Sequence, residues 1–343
     1  MEKIGILTGG GDCPGLNPVI RAIVRKMLRN NYEILGIKNG WKGMLEKDIV
    51  NLDLNAVSGI LHRGGTILHT SRTNPYEKEE DVKKVVANFK DLGLKALIPI
   101  GGEDTLGVAA KLYRDFKLPI VGVPKTIDND ISGTDFTFGF DTAVNVAMDC
   151  IDRLHTTAES HDRVMVVEVM GRHAGWIALY AGLAGGADAI LIPEKPIDID
   201  EVCGLIRKRH SRGKSFSVVV VAEGARFKES SDITQSQELD SFGHVKLGGI
   251  GQALAEAIGD KTGYETRVTV LGHIQRGGSP TAFDRVLGTR YGIKAAELVM
   301  ENKFGCVVAL RGNDIVEIPI EEILGKIKTV NDELYNIAAT FFG

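Results

Sequence analysis

Short apolar runs alternate along the chain with longer segments whose apolar positions recur at helical spacing. Residues 4–8 predict a buried strand, and the apolar positions between residues 19 and 28 fall on one face of a helix that begins near Gly15. Further strands are predicted at residues 96–100, 120–123, 164–169, 189–192, 216–222, 268–271 and 306–310. Further helices are predicted at residues 81–92, 141–154, 201–210, 250–258, 283–300 and 331–341. This alternation predicts an α/β protein with largely parallel sheets and helices on both faces.

One stretch, residues 227–246, is polar and irregular, and no apolar periodicity runs through it. We expect a loop that leaves the core. No repeat or low-complexity tract appears elsewhere, and no linker composition marks a domain boundary. The chain of 343 residues is nevertheless long enough for two domains.

Composition limits the classes of function. The formal net charge is −4, so no broad basic field favours nucleic acid. The four cysteines are scattered without the spacing of a zinc site or a disulfide framework, which favours reduced thiols in a cytosol. No apolar run approaches the roughly 18 residues of a membrane span. We therefore expect a soluble cytoplasmic protein whose partners include neither nucleic acid nor a membrane.

Several predicted strands end in glycine-rich loops, and cationic side chains accompany them. The loops occupy residues 8–12, 101–105, 124–130, 170–172, 223–224 and 272–278. Ligands of open α/β sheets bind beyond the carboxyl ends of the strands, and glycine lets main-chain N–H groups approach an anion. Together with Arg72, Lys125, Arg172 and Arg276, these loops predict a polyanionic ligand, most simply phosphates. Neither a strand-linked G-x-G-x-x-G nor a P-loop signature is present, which disfavours a dinucleotide-dependent dehydrogenase and a Walker-type kinase.

Residues 124–130 read Pro-Lys-Thr-Ile-Asp-Asn-Asp and place Asp128 and Asp130 on either side of Asn129. Phosphoryl transfer to a hydroxyl needs a carboxylate that accepts the hydroxyl proton and cations that neutralise the transferring charge. The same residues could instead form an Asx turn that caps a helix. Taken alone, the segment leaves both interpretations open.

Six motifs, in order along nearly the whole chain, resemble those of the phosphofructokinase family. They are Gly-Gly-Asp-x-Pro-Gly-x-Asn at 10–17, Arg-Gly-Gly-Thr at 63–66, Gly-Gly-Glu-Asp-Thr at 101–105, Thr-Ile-Asp-Asn-Asp at 126–130, Val-Glu-Val-Met-Gly-Arg at 167–172 and Leu-Gly-His-Ile-Gln-Arg-Gly-Gly at 271–278. The resemblance implies two Rossmann-like three-layer α/β domains. A phosphoryl-donor domain would comprise residues 1–139 and 275–324, and a fructose-6-phosphate domain residues 140–274 and 325–343.

The family phosphorylates the 1-hydroxyl of fructose 6-phosphate, so the resemblance implies roles for particular residues. Asp128 matches the proton acceptor, and Arg172 matches the arginine that stabilises the transferring phosphoryl group. Gly11 and Arg72 match contacts to the donor phosphates. The other residues that match the sugar site are Thr126, Asp130, Arg163, Met170, Gly171, Glu223, Arg267, His273 and Arg276. In the family, the residues matching Arg163 and Arg267 reach into the neighbouring subunit's site, which implies a homodimer or homotetramer.

Two positions bear on the phosphoryl donor. ATP-using members commonly have Gly-Gly-Asp-Gly and Pro-Gly-Thr-Ile-Asp-Asn-Asp where this chain has Asp104 and Lys125 in place of a glycine. A carboxylate at residue 104 crowds ATP and repels its phosphates, whereas the lysine adds a cation that a compact donor can use. The pair resembles the pyrophosphate-dependent branch, with Asp104 the stronger signal, because lysine also occurs in ATP-using relatives. We expect reversible transfer from pyrophosphate, with an ATP-dependent 6-phosphofructokinase as the alternative.

The resemblance also bears on a metal and on regulation. It implies Mg2+, with Glu103 as its contact through water, although aspartate is commoner there. The residues that match the family's effector site are Arg21, Arg25, Arg212 and Lys214, while Leu54 and His155 stand where regulated bacterial members carry arginine. We therefore expect a solvated basic face in place of a complete effector site. A non-catalytic sugar-phosphate-binding subunit is a further alternative, and the presence of Asp128 and Arg172 argues against it.

Overall fold

The computed structural model describes residues 1–228, 235–239 and 245–343, so most of the loop predicted at residues 227–246 lies outside the described residues. Two compact units make up the chain. The first comprises Met1–Ile127, Ile131–Thr142 and Arg276–Lys326, and the second comprises Asp128–Asp130, Ala143–Gln275 and Ile327–Gly343. The limits of these units lie close to the domain boundaries predicted at residues 139/140, 274/275 and 324/325. The donor and sugar roles of the two parts stay predictions.

The elements follow one another as the apolar pattern indicates. The strands are β1 (Lys3–Thr8), β2 (Glu33–Ile37), β3 (Ile49–Asn51), β4 (Leu94–Gly101), β5 (Val121–Pro124), β6 (Val164–Val169), β7 (Ala189–Leu191), β8 (Ser217–Ala222), β9 (Gln235–Leu239), β10 (Val245–Leu247), β11 (Thr266–Val270), β12 (Cys306–Arg311) and β13 (Asp314–Pro319). The helices are α1 (Leu16–Leu28), α2 (Trp41–Glu46), α3 (Glu79–Asp91), α4 (Glu103–Phe116), α5 (Phe140–His161), α6 (Trp176–Ala184), α7 (Ile199–Ser211), α8 (Ile250–Thr262), α9 (Ala282–Met300) and α10 (Asp332–Ala339). Short 3-10 helices lie at Pro75–Glu77, Gly272–Arg276 and Ile320–Ile323.

The first unit is built on a sheet with the strand order β13-β12-β5-β4-β1-β2-β3 within the described residues. The central strands are parallel, whereas β3 and β13 pair antiparallel at the two edges. Ile4, Ile6, Ile98 and Val123 on the inner strands have no exposed surface, because helices cover a parallel sheet from both sides. The prediction of largely parallel sheets is confirmed here.

The second unit contains a fully parallel sheet with the order β11-β6-β8-β7. Every residue of β6 and β8 is buried, which explains why continuous valine-rich runs marked both strands in the sequence. The predicted strand at residues 164–169 is confirmed without a change of bounds. A separate antiparallel pair joins β9 and β10.

Some elements are absent from the sequence-based prediction. They are β2, β3, β9, β10, β13, α2, α4 and α6, and of these β9 and β10 fall where residues 227–246 were predicted to form an irregular loop. Helix α6 was missed because its sequence, Trp-Ile-Ala-Leu-Tyr-Ala-Gly-Leu-Ala, is apolar on nearly every side and so lacks a periodic pattern. None of the helices in the described part of the chain combines the length and the apolar character that crossing a bilayer requires.

Residues Asp128–Asp130 group with the second unit, although the predicted donor domain contained them. The physical reason is a main-chain contact with the C-terminal segment. The N–H of Lys328 donates to the carbonyl oxygen of Asp130 at 2.8 Å, and Lys328 belongs to the second unit. Residues 124–127, which precede this turn, stay with the first unit.

A buried carboxylate organises the start of α5 within the first unit. Asp284, at the start of α9, is fully buried and accepts hydrogen bonds from the Thr142 N–H at 2.8 Å and the Thr142 hydroxyl at 2.5 Å. Thr281 completes the arrangement, because its hydroxyl donates to Asp141 at 2.6 Å. Burial raises the pKa of Asp284 to about 6 in spite of these donors.

The raised pKa predicts a pH-dependent loss of stability. The folded state binds the Asp284 proton more tightly than the unfolded state. The stabilisation that this proton gives to the folded state is therefore fully present below about pH 4 and is lost as the pH rises through about 6. Between pH 4 and 7, the wild type should lose up to about 3 kcal/mol relative to Asp284→Asn. Urea unfolding of both proteins across this pH range measures the difference in their free energies of unfolding, with the exposed Asp314→Asn as the control. A difference between wild type and Asp284→Asn that does not change with pH contradicts the assignment.

Candidate active site

The register of β1, β4 and β5 brings three sequence-predicted loops of the first unit together. Thr8 pairs with Ile100, and Gly101 pairs with Pro124, so the three strands end at one edge of the sheet. The Gly9 N–H donates to the Ile100 carbonyl at 3.0 Å, and the Lys125 N–H donates to the Gly101 carbonyl at 2.9 Å. The loops after these strands therefore share one surface.

Lys125 is the buried cation of this surface. Only 4% of its surface is exposed, and its Nζ donates to the carbonyl oxygen of Gly11. The segment before Arg72 joins the same loop, because the Gly10 N–H donates to Ser71 O at 3.1 Å and the Thr70 hydroxyl donates to Gly10 O at 2.5 Å. The structure thus brings Gly11, Lys125 and the Arg72 segment together.

Arg276 adds a second cation to the loop of Gly11. A Cβ atom at residue 11 would fall on the Arg276 guanidinium, so glycine is required there for this close approach. Arg276 was predicted to grip a sugar phosphate with Arg163, Arg267 and His273. Its observed place beside Gly11 is with the predicted donor loops of the first unit, and sequence reasoning did not anticipate that contact.

Two carboxylates begin helix α4. Glu103 and Asp104 occupy its first turn, where the partial positive charge of the helix N-terminus stabilises them. The exposed Glu103 carboxylate accepts a hydrogen bond from the Gly325 N–H at 3.2 Å. In the described ranges, no three His, Cys, Asp or Glu side chains converge on a possible metal site. A magnesium ion held by one or two carboxylates together with ligand phosphates fits Glu103 and Asp104.

The second unit gathers predicted residues at the carboxyl ends of β6 and β8. Val169 pairs with Ala222, so Met170 and Gly171 lie next to Glu223. The Glu223 N–H donates to Val169 O at 2.8 Å, and the Gly224 N–H donates to Gly171 O at 3.0 Å. Gly171 has a φ of 138°, a backbone conformation that favours glycine.

The environment of Glu223 is electrostatically unusual. Burial raises the pKa of its carboxyl, and the nearby charge of Asp128 raises it further. A hydrogen bond from the Gly171 main chain and the charge of Arg172 act in the opposite direction. Asp128, Glu223 and Arg172 therefore form one electrostatic cluster.

A buried glutamine, not anticipated from the sequence, orders the loop after β11. The Met170 N–H donates to Gln275 Oε1 at 3.4 Å, and Gln275 Nε2 donates to Gly272 O at 3.1 Å. Gln275 has no exposed surface. It thereby joins the 3-10 turn that carries His273 to the start of the Met170 loop. A polar residue inside a glycine-rich motif was the signal that could have identified it.

Arg163 and Arg267 lie at the other end of the same strands. Arg163 precedes β6, and Arg267 is the second residue of β11, opposite Met165. Both guanidinium groups pair with Glu265, Arg163 at 2.9 Å. The length of β6, roughly 20 Å at 3.3 Å per residue, separates Arg163 from Arg172. The structure therefore does not bring these two arginines to the Asp128 and Glu223 cluster of the same chain.

Thr126 and Asp130 remain close to the predicted turn but belong to different units. The Thr137 hydroxyl donates to the carbonyl oxygen of Thr126 at 2.8 Å within the first unit. Asn129, between the two aspartates, has a φ of 53° and is almost fully buried. Asparagine tolerates this left-handed conformation better than most residues, which explains its place in the turn.

Comparison with known proteins gives concordant matches. A family model described as Phosphofructokinase matches residues 3–299. A Streptomyces coelicolor protein named pyrophosphate--fructose 6-phosphate 1-phosphotransferase is 56% identical over 342 residues, which cover 99% of this chain and 100% of that protein. A second protein of that organism, ATP-dependent 6-phosphofructokinase 3, is 52% identical over 97% of this chain and 98% of its own length. These two relatives are thus named for different phosphoryl donors, pyrophosphate and ATP.

A solved structure agrees with the fold. Phosphofructokinase from Pichia pastoris in the T-state has a TM-score of 0.84 and 33% identity, with 99% of this chain and 38% of that chain covered. The match extends over both units. The prediction of a phosphofructokinase fold is therefore confirmed.

The Glu223 cluster predicts a measurable coupling. Asp128→Asn removes a negative charge that raises the Glu223 pKa, so that pKa should fall while staying above its ordinary value, since burial remains. Carbon-13 NMR titration of δ-labelled glutamate, with the resonance identified by Glu223→Gln, measures the shift. Asp130→Asn is the matched control and should leave the Glu223 pKa in place. An unchanged pKa in Asp128→Asn contradicts the proposed cluster.

Proposed function

The chain belongs to the phosphofructokinase family, and we propose that it catalyses reversible transfer of a phosphoryl group from pyrophosphate to the 1-hydroxyl of fructose 6-phosphate. The products are fructose 1,6-bisphosphate and phosphate. Full-length identity of 56% to a relative named for this reaction supports the assignment. Pyrophosphate transfer lies nearer equilibrium than transfer from ATP, so the reaction can serve both glycolysis and gluconeogenesis.

The observation that carries the donor assignment is the combination of Asp104 with Lys125. Phosphate groups favour a helix N-terminus, but Glu103 and Asp104 already present carboxylates to that end of α4. The phosphates of ATP are therefore repelled at the start of α4, and the Asp104 side chain also occupies space there. Lys125, buried beside Gly11, offers a cation to a compact donor. ATP is the alternative donor, supported by the 52% identity to an ATP-dependent relative.

The residues of the second unit carry the chemistry on the sugar. Asp128 accepts the proton of the 1-hydroxyl as its oxygen attacks the phosphoryl group. Arg172 stabilises the negative charge of the transferring group. Glu223 accepts hydrogen bonds from sugar hydroxyls, and Met170, Gly171 and Asp130 position the sugar, a role that the family resemblance also gives to Thr126 of the first unit. His273 contributes to binding of the 6-phosphate.

The first unit holds the donor and its charge. Gly11, Arg72 and Lys125 contact the donor phosphates, and Arg276, predicted at the 6-phosphate, has a contact with Gly11 that also suits this role. Magnesium bound with pyrophosphate would be held by Glu103, with Asp104 beside it, and would neutralise phosphate charge. The metal and its contacts stay predictions.

The positions of Arg163 and Arg267 support an oligomer. Both lie at the amino ends of strands whose carboxyl ends carry the sugar-binding residues, so they cannot serve their own subunit's sugar site. We infer that they complete the neighbouring subunit's site in a homodimer or homotetramer. Cytoplasmic location also stays a prediction.

Assay of the purified protein with magnesium and fructose 6-phosphate distinguishes the donors. We expect kcat/KM to be at least about 10²-fold higher with pyrophosphate than with ATP. Asp104→Gly should raise kcat/KM for ATP, because it removes both a negative charge and bulk. Asp104→Asn, which keeps the bulk, separates the two effects. A wild type that prefers ATP refutes the donor assignment.

The role of Asp128 has its own test. Asp128→Ser should lower kcat roughly 10²- to 10⁴-fold, because no carboxylate then accepts the hydroxyl proton. Calorimetric binding of fructose 6-phosphate should survive, since Arg172, Glu223 and His273 remain. Near-normal turnover in this variant would exclude Asp128 as the proton acceptor.

A further inference from the structure

The C-terminal segment of the second unit contacts the turn that carries Asp128. Two hydrogen bonds come from one residue, Lys328. Its main-chain N–H donates to Asp130 O at 2.8 Å, and its Nζ donates to Asn129 Oδ1 at 2.9 Å. Residues 128–130 and 327–343 belong to the same unit. The turn is therefore held both by the backbone and by the side chain of Lys328.

The same residue also contacts the start of α6. Trp176 Nε1 donates to the Lys328 carbonyl oxygen at 2.7 Å, and Lys328 Nζ lies 5.5 Å from the centre of the Trp176 ring, within cation–π range. Helix α6 begins directly after the loop that contains Gly171 and Arg172. Lys328 thus connects the Asp128 turn to the end of the Arg172 loop.

Glu194 strengthens this connection. Its carboxylate accepts hydrogen bonds from Val330 N–H at 2.8 Å and from Gly175 N–H at 3.0 Å. Gly175 immediately precedes α6, so the C-terminal segment is attached to the Arg172 loop at two successive points. The attachment is made mostly by main-chain groups, which a side-chain substitution at residue 328 leaves intact.

The hydrogen bond from Lys328 Nζ to Asn129 Oδ1 has a different effect from these main-chain bonds. Asn129 is almost fully buried in a left-handed conformation, so its amide must be oriented for the turn to keep one geometry. A hydrogen bond from a charged donor is shorter and stronger than a neutral one. Asn129 is next to Asp128 in the chain, and a fixed Asn129 restricts where the Asp128 carboxylate can lie.

We propose that Lys328 is a positioning residue that holds the Asp128 carboxylate in a fixed place relative to Arg172. The proposal rests on the proposed function, because it assigns Asp128 and Arg172 to one reaction. Lys328 itself acts through Asn129 and Trp176 and contacts neither substrate in this assignment. Its loss should therefore affect the reacting geometry more than the affinity for the sugar.

Lys328→Met tests the proposal, since methionine keeps an apolar stem beside Trp176 and both main-chain bonds but removes the cation. We expect kcat to fall by roughly 10- to 100-fold, because small displacements of reacting groups carry losses of this order. The KM for fructose 6-phosphate should change little. Lys328→Arg should restore part of kcat, because it returns a charged donor.

Lys195→Met is the matched control. Lys195 also anchors the C-terminal segment, through an ion pair with Asp332 at 2.9 Å and a position 4.8 Å from the Tyr335 ring centre. It has no contact with the Asp128 turn among those described for it. If Lys328 serves only to attach the segment, the two variants should lose activity and stability alike, and that result overturns the proposal. An unchanged kcat in Lys328→Met overturns it as well.

Hydrogen exchange supplies a readout that does not depend on activity. Peptides covering residues 126–132 should exchange faster in Lys328→Met and at the wild-type rate in Lys195→Met. If the wild type turns over neither pyrophosphate nor ATP, the proposed function fails, and exchange still decides whether Lys328 holds the turn. Unchanged exchange in Lys328→Met refutes the positioning role whatever the activity.

Discussion

The parallel register of β1, β4 and β5 is the constraint on which the donor-side chemistry depends. Because Thr8 pairs with Ile100 and Ile100 pairs with Val123 near the carboxyl ends of three neighbouring strands, the loops after these strands must share one edge of the sheet. The loops then pack closely: a Cβ at Gly9 would lie only 2.5 Å from the buried Thr105 hydroxyl. Glycine in these loops is therefore a packing requirement as well as a means of exposing N–H groups. Lys125 can reach Gly11 only because this packing brings their loops together.

The same constraint acts in the second unit with a different electrostatic outcome. Parallel pairing of β6 with β8 places the Gly171 loop beside Glu223, and burial at this edge makes a negative charge on Glu223 unfavourable. A carboxyl with a raised pKa is suited to hydrogen-bond a sugar hydroxyl in either protonation state. Strand direction also separates functions, since Arg163 and Arg267 at the amino ends are removed from this cluster by the length of a strand.

Much of the fold follows from apolar patterning, and the exceptions have physical reasons. Buried parallel strands such as β8 are nearly continuous apolar runs, whereas β3 and β13 lie at sheet edges and carry exposed polar residues that weaken the pattern. The candidate site residues came from motifs by resemblance. Lys328 could not be found that way, because its contact with Asn129 joins positions 199 residues apart and no motif surrounds it. Arg276 lay in a motif, but its contact with Gly11 depends on tertiary packing.

The donor preference follows from how charge is distributed around α4. A helix that begins after Gly-Gly normally offers its N-terminus to a phosphate, and a glycine at residue 104 would leave Glu103 as the carboxylate in the first turn. Asp104 adds a negative charge in the first turn, and Lys125 at the end of β5 supplies a positive charge on the adjoining loop. Attraction for the donor phosphates thus comes from the buried Lys125 ammonium group and from Arg276 beside Gly11, and less from the helix end. A small donor whose charge is concentrated can use these cations, whereas the triphosphate of ATP must also lie beside the Asp104 carboxylate, and this difference favours pyrophosphate.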